Sequence, residues 1–224
     1  MDHKKFRQNM IEDHNIREKL VLQHLTRANG DLNQLFYKTR DNKEIIPTQM
    51  QLIGIFTVIE LAANYWHQYT KKVSYSDKEV DGVGKNFRVF AKNFLFCSDN
   101  KEYKNNKFLK RLNEHKLYEF RSAAVHFYGI GVPGISVMCE GLTNEEYEEF
   151  YNERKEKNPK EICIRPQHLR KIVNSGIEIM LNQLLKNIQK AQTDPDFEKE
   201  HITGIYYIFD MWSQKGVVVE PKRK

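Results

Sequence analysis

The segment "PTQMQLIGIFTVIELAANYWHQYT", starting at Pro47, is the most apolar helix-length stretch in the chain. Proline suits the first helical position, where its missing N–H costs nothing, and the apolar residues that follow recur every three or four positions. The spacing predicts a helix from Pro47 to about Tyr69. A helix this apolar must be covered by other elements, so it is expected at the centre of the fold. Its longest apolar run, Leu52 to Ala63, contains Glu60 and falls short of the roughly 20 residues needed to cross a bilayer. No membrane association is expected.

Most of the remaining chain also has helical spacing. Lys4 to about Thr26 reads as a helix, and in "RANGDLNQLFYK" a glycine break is followed by Asp31 as the cap of a short second one. An aromatic helix, "KNFRVFAKNFLF", lies between the polar loops "KKVSYSDKEVDGVGK" and "CSDNKEYKNN". Another helix is predicted from near Lys107 to about Gly129, where Gly131, Pro133 and Gly134 stop it. The β-branched runs "ISVMC" and "EICIR" then flank a charged, Tyr-rich insert and predict a small β-hairpin. Helices from His168 to about Gln192 and within residues 194–214 complete the chain. The expected fold is mainly α: a single helical domain over 1–224, with a core at 45–135, a hairpin insert at 135–165 and C-terminal helices over 166–224.

The stretch "EFRSAAVHFYGIG", residues 119–131, places polar groups in what otherwise reads as core helix. On a wheel of about 100° per residue, Leu117, Phe120, Ala123, Ala124 and Phe127 fall on an arc of roughly 120° that faces a core. The opposite arc carries Arg121, Ser122, Val125, His126, Tyr128 and Gly129, with Ser122 and His126 one turn apart. A solvated face would carry Lys, Glu and Gln. Planar and short polar groups interleaved with Val and Gly suit the lining of a cleft or interface.

Charge and cysteine content bound the chemistry. The net charge of +6 suits an anionic partner such as nucleic acid. In "KEYKNNKFLKRLNEHK", Lys104, Lys107, Lys110 and Arg111 precede the motif and are candidates for guiding RNA; the alternative is the ordinary solvated face of a helix. Cys97, Cys139 and Cys163 are widely spaced, which fits reduced thiols without a CxxC motif. Seven histidines, His3, His14, His24, His67, His115, His168 and His201, show no ligand spacing, and no metal or other cofactor is expected. The "DGVGK" loop lacks Walker spacing and reads as a turn. The start "MDHKKFRQNMIEDH" has no apolar region of signal-peptide type, so a cytoplasmic location is expected.

Arg121, four intervening residues and His126, with Phe120 before and "HFYG" after and a long apolar helix upstream, resemble the HEPN superfamily of nucleotide-binding domains and ribonucleases. The resemblance covers roughly residues 45–135. Ser122 departs from the Asn, His or Asp that many members carry after the arginine. Tyr128 extends the pattern to R-x4-H-x-Y, which is similar to HEPN toxins paired with nucleotidyltransferase antitoxins and makes Tyr128 a candidate modification site. The resemblance implies a homodimer in which two motif helices form a composite cleft. An antitoxin or nucleotidyltransferase partner is implied in the same way.

The residues can be argued independently of the family. RNA cleavage by its own 2′-hydroxyl needs proton transfer and stabilisation of extra charge on phosphorus. An imidazole, with an unperturbed pKa of about 6.5, can move the proton, and His126 is the candidate. A guanidinium fork matches two phosphate oxygens, which suits Arg121, and Ser122 could orient His126 from one turn away. Glu60 and Asn64, one turn apart on the central helix, are candidate partners for Arg121; a helix-surface or purely structural ion-pair role is the other reading. The expected function is a metal-independent endoribonuclease of toxin or defence type. The alternative is a non-catalytic HEPN-like dimer that binds a nucleotide or nucleic acid or serves as a scaffold.

Overall fold

The computed structural model describes residues 48–72, 82–126, 132–138 and 143–214. The helices expected before Pro47 lie outside them. Helix α1, Thr48–Lys71, occupies the centre as its composition requires. Leu52, Ile55, Phe56, Ile59, Ala62 and Ala63 are almost completely buried at helical spacing, and α2, α4, α6 and α7 cover them. Phe56 packs edge-on to Phe120, with ring centroids 5.5 Å apart, and tilts against Phe87 at 6.5 Å.

Helix α2, Val83–Phe90, runs directly into a π-helical turn, Ala91–Leu95. The wider turn disturbs the regular backbone ladder, and Asn100 compensates. Its buried side chain donates to the carbonyl of Phe94 at 3.0 Å and to that of Ile172 at 2.9 Å, and accepts from the Tyr103 N–H at 3.1 Å. The last bond caps the single-turn helix α3, Lys101–Lys104. At the same place α6, Pro166–Ala191, approaches so closely that a Cβ on Gly176 would lie 2.4 Å from Leu95 and 3.0 Å from the Phe94 carbonyl oxygen. Only glycine allows that approach.

Helix α4, Glu114–His126, packs against α1 and α2. Beyond it, the structure corrects the expected hairpin. Strand β1, Ile135–Val137, pairs parallel with β2, Ile162–Ile164, in the register Ile135 to Ile162. Parallel neighbours need a crossover. The Tyr-rich insert supplies it as helix α5, Asn144–Lys157, which opens with a reciprocal capping box between Thr143 and Glu146. Helix α7, Pro195–Gln214, returns against α1 and α6. There the Tyr69 hydroxyl accepts from Asn187 at 2.9 Å and meets Nδ1 of buried His201 at 2.6 Å. The chain is therefore mainly α, with a two-stranded sheet among the described residues.

An aromatic cluster joins the sheet region to the rest. The His168 ring stacks on Phe108 at 5.4 Å and stands edge-on to Tyr147, whose hydroxyl donates to the Cys163 carbonyl. Burial, then the charges of Arg165 and Lys171, push the His168 pKa down from 6.5 to about 4. It is neutral in the fold at neutral pH. Burial also raises the Tyr147 phenol and the Cys163 thiol.

Two outcomes follow from this packing. Asn100→Ala removes three hydrogen bonds made by a buried side chain and leaves the Tyr103 N–H without its cap, so it should cost about 2–3 kcal/mol in urea unfolding. His168 binds its proton more readily unfolded than folded, so its contribution is complete above pH 6.5 and is lost as pH falls toward 4. The Tm of wild type should therefore drop across that window, and His168→Phe, which keeps the stack, should flatten the drop.

Candidate functional site

The motif helix starts later than its apolar spacing suggests. Asn106 accepts the N–H groups of Phe108 and Leu109 through its side chain, which folds residues 107–111 into turns. Asn113 then accepts from the Lys116 N–H at 3.0 Å and starts α4 at Glu114. Local side-chain bonds of this kind compete with a continuous helix. From Glu114 onward the wheel holds in part, with Ala123, expected on the core arc, no more covered than Arg121 and Ser122. Leu117, Phe120 and Ala124 are buried, Arg121, Ser122 and Ala123 are half-buried, and Val125 is 39% exposed. The helix carries His126 one turn after Ser122. Phe127, Tyr128 and Gly129 lie outside the described residues.

Helices α1 and α4 pack against each other. Gln49, at the start of α1, donates to the Ala124 carbonyl at 2.6 Å, Phe56 meets Phe120, and Glu60 forms an ion pair with Arg121 through Oε1 and Nη2. Of the two carboxamide or carboxylate candidates on α1, Glu60 is thus an Arg121 partner, while half-buried Asn64 sits one turn further on. The Arg121 side chain retains 14% exposure and that of Glu60 24%. The guanidinium is therefore held by a carboxylate in a largely covered setting, with its Nε buried. Gln49 was not legible as part of this site. Nothing local links it to a carbonyl 75 positions away.

The basic residues before the motif divide into different environments. Lys104 is exposed on α3. Lys107 pairs with Glu148 at 3.0 Å and lies over the Phe108 ring. Lys110 and Arg111 line an open cleft of about 490 Å³, together with Tyr103, Asn113, Lys116 and Lys160. At about 1.5 Å per residue, the helical rise puts this cleft on the order of 20 Å from His126 along α4. The structure thus brings Glu60, Arg121 and Ser122 to one end of the helix and separates them from Lys110 and Arg111 at the other. Lys160 was missed by sequence reading because it arrives from the loop before β2.

Among the described residues no group of three His, Cys, Asp or Glu side chains could hold a metal ion, and no helix is long and apolar enough to cross a membrane. Cys97 and Cys163 are free thiols.

Breaking the ion pair from one side leaves a half-buried charge facing apolar neighbours. Arg121→Met should cost about 2 kcal/mol, less than the 3–5 of a fully buried pair because both partners are partly solvated. Adding Glu60→Leu should recover most of that loss in denaturant unfolding. Strictly additive losses would show that the two side chains are not coupled.

No protein-family model, no curated protein and no solved structure matches the chain.

Proposed function

We propose that the chain is a metal-independent endoribonuclease of HEPN type, a toxin or defence effector that acts as a homodimer. The observation that carries this reading is the guanidinium of Arg121, held by Glu60 of α1, on the helix whose sequence also includes Ser122 and His126. A preorganised cation is suited to a phosphate whose charge increases during attack by the 2′-hydroxyl. In this proposal His126 transfers the proton, Ser122 orients it, and Arg121 stabilises the charge on phosphorus. Glu60 positions Arg121, and Asn64 lies one turn further along α1. Two copies would bring two such helices together and supply separate general base and acid groups. Tyr128 is the proposed point of control by a nucleotidyltransferase or antitoxin partner, and the cytosol is the proposed compartment.

The second reading, a non-catalytic nucleotide- or nucleic-acid-binding dimer or scaffold, draws on the same ion pair. Glu60 already neutralises Arg121 and reduces its pull on a phosphate.

Incubation of wild type and His126→Ala with single-stranded and structured RNA in excess EDTA separates the two. Cleavage by wild type leaving 2′,3′-cyclic phosphate ends, reduced about 10²–10⁴-fold in the variant, is the expected result for a lost proton-transfer group. Equal cleavage by both proteins, or RNA binding without cleavage by either, would remove the ribonuclease reading. Sedimentation of both proteins tests the dimer directly.

A further inference from the structure

The cleft at the start of α4 carries more positive charge than its neighbours neutralise. Its lining includes Lys110, Arg111, Lys116 and Lys160 and no Asp or Glu. Several of the cations around it are satisfied by backbone carbonyls instead of carboxylates. Arg111 donates to the Pro159 carbonyl, and Lys155 donates to those of Pro159 at 3.0 Å and Glu161 at 2.8 Å. These bonds tie the loop bearing Lys160 to the turn bearing Lys110 and keep the site's charge. Burial and the adjacent Arg111 both lower the Lys155 pKa, as expected where like charges crowd. The nearby carboxylates have other partners. Glu161 faces Ser136 and Arg154, and Glu148 pairs with Lys107. Glu114, 3.7 Å from the His115 ring, is the carboxylate beside the cleft: after burial, its charge raises the Tyr103 phenol, and it offsets one of the four cations there.

The walls of this cleft are held in place. The Tyr103 hydroxyl donates to the Leu112 carbonyl at 3.2 Å, and Asn113 caps α4. The volume, about 490 Å³, is that of a site for a nucleotide-sized group. The cleft is open and its cations come from three separate backbone segments, an arrangement that suits successive phosphates better than one small enclosed anion.

We infer that this cleft is a phosphodiester-binding subsite for single-stranded RNA, in which Lys110, Lys116 and Lys160 contact the backbone at a distance from the Arg121 end of α4. The inference rests on the proposed RNA-directed function and assigns its second contact region. Asn113 at the cleft and Arg121 lie about 12 Å apart along α4, a distance that a few nucleotides of an extended single strand cover. A strand of that length would reach from the cleft to Arg121.

The test is binding of a 12-nucleotide single-stranded RNA by fluorescence anisotropy across a salt series. It uses wild type, the triple variant Lys110→Gln, Lys116→Gln, Lys160→Gln, and a control of equal charge, Lys92→Gln, Lys186→Gln, Lys199→Gln. Arg111 is left intact because it braces the Pro159 carbonyl, and a Lys-to-Arg triple variant at the three cleft positions checks that the fold tolerates substitution there. For single strands each lost phosphate contact lowers the salt slope by about 0.7, so the cleft variant should lose about two from its slope and at least about ten-fold in affinity. The control and the arginine variant should stay near wild type. RNA binding by wild type that is unchanged in the cleft variant, or reduced equally in the control, would overturn the subsite while leaving the RNA reading standing. Absence of RNA binding by wild type would overturn both, and displacement of RNA by inorganic pyrophosphate at equimolar levels would assign the cleft to a small anion instead.

Discussion

Burial of the apolar stripe of α1 is the constraint from which the other contacts follow. Leu52, Ile55, Phe56 and Ile59 are each withdrawn from water almost completely, and such side chains contribute about 1.5–3 kcal/mol apiece. Covering them requires helices on several sides, and α2, α4, α6 and α7 provide those sides. A helix enclosed in this way has little room for a charge. Glu60 follows Ile59 directly, and its carboxylate lies where α4 crosses. The cost of leaving it unpaired there explains why a cation stands opposite, and Arg121 is that cation. The geometry on which the proposed chemistry rests is thus tied to the packing of the central helix.

Asparagines organise the other half of the structure. Asn100, Asn106 and Asn113 each accept backbone N–H groups just downstream, so the chain between the π turn and α4 breaks into short capped pieces. Asn100 also reaches two carbonyls, joining the π turn to α6 beside Gly176. The stretch cannot continue as one helix because these side chains offer its N–H groups alternative partners. Its turns place Lys110 and Arg111 beside the Pro159 loop, away from the Arg121 end of α4. Charge on that surface therefore comes from sequence segments that a linear reading keeps apart.

Legibility varied with the range of the interaction. The helices expected from Pro47 to about Tyr69, from His168 to about Gln192 and within residues 194–214 lie within a few residues of α1, α6 and α7, because each has a long apolar stripe with a clear start or stop. On α4, Leu117, Phe120 and Ala124 are buried as the wheel expects, while Ala123 is half-buried. Glu60 stood out as a charge inside an apolar run. By contrast, "ISVMC" and "EICIR" carry strand composition but nothing that distinguishes antiparallel from parallel pairing. The charged, Tyr-rich insert between them has little apolar periodicity to mark a helix, although Thr143 and Glu146 hold the spacing of a capping box.

The sequence by itself determined a mainly helical chain, the central position of the Pro47–Tyr69 segment and the placement of Arg121, Ser122 and His126 on a single helix. Those properties depend on hydrophobic period and on residues within a turn or two of one another. Tertiary structure alone decided that Glu60 meets Arg121, that Gln49 bonds Ala124, that the two strands run parallel around α5, and that Lys160 joins Lys110 and Arg111 in one cleft. Each of these joins residues far apart in the chain, and which distant groups meet depends on how the helices cross when the apolar faces are buried together.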